Sequence, residues 1–103
     1  MIKISVLYPN SEGAKFDMDY YCQKHMSLVK RLLSPAIKGI AVDQGIGGLG
    51  PGSSAPFLAV GHLLFDSVEA FQTALEPHAQ AIMGDIPNYT NLQPTVLISE
   101  VKM

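Results

Sequence analysis

The sequence predicts an α+β fold in which one antiparallel four-stranded sheet carries two helices on a single face. Three stretches support this. Ile2, Ile4, Val6 and Tyr8 recur at a period of two, the pattern of a strand with one buried face. On a wheel of 3.6 residues per turn, Phe16 to Leu33 separates into two sides. One side holds Met18, Tyr21, Cys22, His25, Val29, Leu32 and Leu33; the other holds Asp19, Gln23, Lys24, Ser27, Lys30 and Arg31. The run Phe57 to Phe65 is apolar on both parities, as expected of a central strand covered on both sides.

In chain order, Pro9, Asn10 and Gly13 end the first strand. Asp17 is the expected N-cap of the first helix, because its short carboxylate can accept from a free backbone N–H of the first turn. Ser34-Pro35 stops that helix, since a residue before proline avoids the helical region. Ile37 to Ile46 reads as a second strand weakened by Gly39 and Gly45, and Gly47 to Ser54 as a flexible connection. Phe57 to Phe65 follows as the third strand. Ser67 caps a second helix with Glu69 in its first turn, and Val68, Phe71, Leu75 and Ile82 form its apolar stripe, with His78 on the same side. Pro77 should split this helix, because it removes a backbone donor. Gly84, Pro87 and Asn88 close it, and Thr95 to Val101 is the last strand. The order strand, helix, strand, strand, helix, strand is the ferredoxin-like βαββαβ arrangement, placed here in one domain, residues 1–103. The sheet face without helices keeps apolar residues of the third strand, so a homodimer packed on that face is expected.

Composition excludes several function classes. The net charge is −2 with no basic stripe, which argues against nucleic acid and anionic membrane surfaces as partners. No apolar run is long enough for a membrane span, and Met1 leads directly into a strand without a signal peptide. A single cysteine allows no internal disulfide and fits a reducing, cytoplasmic setting.

The glycine-rich loop enters a strand rather than a helix, so it lacks the helix N-terminus on which phosphate binding depends. There is no Gly-x-Ser-x-Gly elbow. Cys22 is expected to be a buried, inert thiol. The histidines, His25, His62 and His78, lie on three elements without paired spacing, so neither a metal, a haem nor any other cofactor is expected. His25 lies mid-stripe, one turn after Tyr21. It is either a satisfied core residue or a proton carrier beside a cavity shared with Tyr8, Tyr21 and His62. Tyr20 falls on the polar side, where a helix-surface or dimer-contact role is expected.

Tyr8-Pro9, Phe16-Asp17, Tyr20-Tyr21 and His25-Met26-x-Leu28-Val29 together resemble the EthD family, named for ethyl tert-butyl ether degradation. Phe65-Asp66-Ser67 with Glu69-Ala70-Phe71, and Asp85 to Asn91 with Pro94, extend the resemblance over nearly the whole chain. It implies the dimeric α+β barrel and a pocket histidine on the first helix, matched here by His25. Relatives include isomerases of methyl-substituted muconolactones and polyketide-tailoring enzymes. The family often has proline after His-Met; here Ser27, on the polar face, stands there, with a local backbone effect expected. The reading that follows is a cofactor-independent enzyme for isomerisation, dehydration or cyclisation of an apolar cyclic or aromatic substrate. His25 would be the catalytic residue, and Tyr8, Tyr21, His62 and His78 the substrate-binding candidates. The alternative is a non-catalytic hydrophobic-ligand carrier or accessory protein of a catabolic or oxygenase pathway.

Overall fold

The computed structural model describes residues 1–103. Strand β1 (Ile2–Pro9) leads to α1 (Met18–Tyr20), a π-helical turn at Tyr21–His25, and α2 (Met26–Leu33). Strands β2 (Gly39–Gln44) and β3 (Phe57–Phe65) follow, then α3 (Val68–Leu75), a 3-10 turn at Glu76–His78, α4 (Ala79–Asp85), a second 3-10 turn at Ile86–Asn88, and β4 (Thr95–Glu100). The sheet is four-stranded and antiparallel in the order β2-β3-β1-β4, the ferredoxin-like arrangement. No helix is long and apolar enough to cross a membrane.

Register assigns the two faces of the sheet. Ile4 pairs with Leu63 and Ile98, Tyr8 with Ala59, and Ile2 with Phe65; these residues face the helices. Ile4, Tyr8, Ala59, Leu63 and Phe65 are all buried there, together with Tyr21, Met26, Val29 and Leu33 from the helical layer. Ser5 pairs with His62, and Leu7 with Val60, on the opposite face, which no helix covers. The local rules behind the helices operate as expected. Asp17 accepts from the Tyr20 N–H at 3.0 Å and Ser67 from the Ala70 N–H at 3.1 Å. The second helix breaks at Pro77 into α3, a 3-10 turn and α4.

One departure matters for the site. At Tyr21–His25 the helix widens, and the Met26 N–H bonds back to the Tyr21 carbonyl, five residues away. A uniform wheel puts Cys22 inside and Met26 off the stripe. The wide turn reverses this: Tyr21, His25 and Met26 are buried, and Cys22 is exposed. The expectation of a buried Cys22 is therefore corrected. The second strand is also shorter than expected, running from Gly39 to Gln44 and not from Ile37 to Ile46.

Candidate active site

Between the sheet and the helices lies a cavity of about 450 Å³. Its walls are mainly Ile4, Val6, Leu63, Phe71, Leu75 and Ile86, and no lysine, arginine or carboxylate lines it. Its polar features are the rings of Tyr8, Tyr21 and His25 and the amide of Gln93. An apolar hollow with a few convergent polar groups is the usual form of a small-molecule site.

His25 is fixed from outside the cavity. Its Nδ1 lies 2.9 Å from Asp85 Oδ2 at the end of α4. The other carboxylate oxygen accepts from the Tyr20 hydroxyl at 2.7 Å and from the Asn88 amide at 3.0 Å. Burial alone would raise the Asp85 pKa, but the hydrogen bonds from Tyr20, Asn88 and His25 outweigh it and hold the carboxyl below its ordinary range. An ionised carboxylate only accepts, so His25 Nδ1 carries the proton and donates to it. The lone pair is therefore on Nε2, which makes no hydrogen bond within the chain, and His25 lines the cavity. Burial lowers the His25 pKa, and the Asp85 contact only partly offsets this, so the imidazole is neutral at pH 7.

Four tyrosines, all that the chain has, gather around this histidine. Tyr21 stacks on it at 5.6 Å between centroids, nearly parallel at 14°, and Tyr89 packs at 4.7 Å. Tyr89 also stacks on Tyr20 at 6.2 Å. Its hydroxyl lies 2.5 Å from that of Tyr8. The segment carrying Tyr89 is tied to the start of the first helix. The Asp17 N–H donates to the Tyr89 carbonyl at 2.7 Å, and Thr90 Oγ1 donates to the Lys15 carbonyl at 2.6 Å. Gly61 on β3 makes room for the cluster, since a Cβ there would overlap the Tyr21 hydroxyl and lie 2.8 Å from Met26 Cε.

Of the five residues the sequence nominates, the fold brings Tyr8, Tyr21 and His25 to the cavity. His62 has the opposite strand parity and stands on the uncovered face, between Ser5 Oγ and Asp43 Oδ2 at 3.1 Å each. His78 lines a separate, more open groove with Leu32, Pro35, Glu69 and Thr73. Their assignment to the same site is corrected on these grounds of register and helix breakage. Tyr20 is not a plain surface residue, because its hydroxyl holds Asp85. Asp85 and Tyr89 were not nominated, although Asp85 is the sole charged side chain between Glu76 and Glu100. An isolated charge at the end of an apolar helix was the available signal.

Residues 12–93 match the EthD domain family. The chain belongs to that family. The match includes His25, Asp85 and Tyr89 and leaves Tyr8 and β4 outside. The structure of an EthD-like protein from Ralstonia eutropha is 42% identical, with a TM-score of 0.95 over 99% of this chain and 92% of that one. An EthD family protein from Bacillus halodurans is 22% identical, with a TM-score of 0.75 over 99% of both chains. A dimeric ferredoxin-like protein from Thermobifida fusca shares the fold at 16% identity and a TM-score of 0.57, over 97% of this chain and 90% of that one. No curated protein matches the sequence significantly.

Proposed function

We propose that this EthD-family protein catalyses cofactor-independent proton transfer on an apolar cyclic or aromatic molecule held in the cavity. The observation that carries the reading is the His25–Asp85 pair, with Nδ1 fixed by the carboxylate and Nε2 left for the ligand. A neutral imidazole in an apolar hollow is a competent base near neutral pH, and Asp85 stabilises the imidazolium formed when it accepts a proton. Returned to the same atom, the proton gives exchange with solvent; returned to another, it gives an isomerisation; and its removal is the first step of a dehydration or cyclisation. Tyr8 and Tyr21 are the substrate-contacting groups. His25 is the catalytic residue, and Asp85 and Tyr20 position it.

We further infer that the protein works as a homodimer. Leu97 of the edge strand β4 is 54% exposed and, with Leu58, Val60 and Leu64, lies on the face without helices. Light scattering should report twice the chain mass of 11.1 kDa.

The test of activity is solvent-deuterium exchange followed by proton NMR, with indene, 2-tetralone and an unsaturated five-membered lactone as probes. The wild-type protein should accelerate exchange into at least one of them, and His25→Gln should not. Binding of the probes without any exchange would overturn the catalytic reading and leave a carrier.

A further inference from the structure

The phenol pair Tyr8–Tyr89 has no part in the dyad, yet it lies one ring away from it. Tyr89 packs on the His25 ring at 4.7 Å and places its hydroxyl 2.5 Å from Tyr8 Oη. Both residues are almost completely buried, Tyr8 at 1% and Tyr89 at 3% exposure. They differ in one respect: Tyr8 lines the cavity and Tyr89 does not.

That difference sets the direction of the bond. If Tyr8 donated to Tyr89, the Tyr89 proton would be left without an acceptor inside packed protein, since Tyr89 Oη has no other partner. Buried hydroxyl protons are almost always bonded. On this reading Tyr89 donates to Tyr8, and Tyr8, which lines the cavity, keeps its own proton for a ligand. Burial raises the Tyr8 pKa, while the phenols of Tyr89 and Tyr21 pull it back down; Tyr89 is raised by burial and by its bond to Tyr8. A hydroxyl that accepts from one phenol becomes a stronger donor on its other side.

We infer that Tyr8, backed by Tyr89, is an oxyanion-stabilising donor, and that the substrate class is therefore a neutral, enolisable carbonyl compound. This rests on the proton-transfer reading above and narrows it. The carbonyl oxygen accepts from Tyr8 Oη. His25 Nε2 takes the proton from the adjacent carbon; the C–H electron pair becomes the C=C bond, and the C=O π pair moves onto oxygen. The Tyr8 hydrogen bond strengthens as that charge develops. The imidazolium, held by Asp85, then returns the proton to a carbon or to the oxygen. No oxidant or second substrate is needed. The absence of any lysine or arginine from the lining fits an oxygen that starts neutral and argues against a carboxylate substrate.

The test uses a pair of probes that differ by one oxygen. 2-Naphthol mimics the planar enol of a bicyclic ketone, and naphthalene has the same frame without the oxygen. Titrations with the full-length protein, followed by naphthol fluorescence and by calorimetry, should show 2-naphthol binding about tenfold or more tighter. Tyr8→Phe should erase the preference, and Tyr89→Phe should reduce it, while naphthalene binds all three proteins alike. An undiminished naphthol preference in Tyr8→Phe would overturn the assignment, as would binding of neither probe to the wild type. Tyr89→Phe removes only the hydroxyl behind the donor, so it gives an independent reading if Tyr8→Phe folds poorly. Failure of the proton-transfer reading looks different: the naphthol preference persists in the wild type, but no probe exchanges deuterium.

Discussion

The two faces of the sheet each carry a histidine bonded to an aspartate, and only one of these pairs is arranged for chemistry. His25 is buried against a carboxylate that is 14% exposed, and its second nitrogen is unbonded beside a cavity. His62 meets an Asp43 carboxylate that is 70% exposed, and Ser5 occupies its other nitrogen. With both nitrogens taken, His62 has no free nitrogen to offer a ligand. What separates the two is the unbonded nitrogen and the surrounding surface, not the presence of an acidic partner.

The comparison breaks most sharply on substitution of the two histidines. His25→Gln should lower the deuterium-exchange rate about a hundredfold or more, the usual contribution of a positioned acid–base group. His62→Gln should leave it within about a factor of two, as a residue without substrate contact does. Equal losses in both variants, measured on the same probe, would remove the distinction between the faces.

A second contrast is steric. Gly61 faces the cavity cluster and Gly39 the open side. A Cβ at 61 would overlap the Tyr21 hydroxyl, whereas a Cβ at 39 would meet only the mobile end of Leu64, at 3.0 Å. Gly61→Ala should cost about 1–3 kcal/mol of stability, as overpacking of a filled core does. Gly39→Ala should be nearly neutral. Urea unfolding of both variants checks this, and a neutral Gly61→Ala would mean the tyrosine cluster is looser than its packing implies.

How much of this was readable beforehand follows from how local each cause is. The bounds of β3, both helix caps and the break at Pro77 depend on neighbouring residues and were legible. The burial of Met26 in place of Cys22 was not, because a uniform 3.6-residue wheel has no means of registering a π-turn. His62 was misassigned because a strand apolar on both parities does not disclose which parity meets the helices; the pairing of Ser5 with His62 decides it. Asp85 and Tyr89 reach the site through contacts spanning most of the chain, 60 residues for His25 to Asp85 and 81 for Tyr8 to Tyr89.

Acid should distinguish the faces through stability. The folded His25 pKa lies below the ordinary 6.5, chiefly from burial. Below pH 6.5 the unfolded chain takes up a proton that the folded chain resists, so stability from this group is complete above 6.5 and falls as pH drops toward the folded value. Melting curves of wild type and His25→Gln at stepped pH should therefore converge on acidification. A difference constant with pH would mean that His25 is no more buried in energetic terms than an exposed ring.

The smallest effect belongs to Ser5→Ala. Ser5 is 7% exposed, and its hydroxyl serves only His62 Nδ1. Removing it leaves a half-buried ring nitrogen that water can reach from the uncovered face, so the loss should be about 1 kcal/mol or less. Deuterium exchange in the cavity should not change, because the β1 backbone lies between Ser5 and the site. The same variant also sharpens the dimer inference. If a second copy covers this face, water is shut out and the orphaned nitrogen becomes costlier, toward the 1–3 kcal/mol of an unsatisfied buried group. Measured well below the dimer dissociation constant, the cost of Ser5→Ala should be small, and well above it distinctly larger. A cost independent of protein concentration would place the contact surface elsewhere, on the exposed apolar edge of β4.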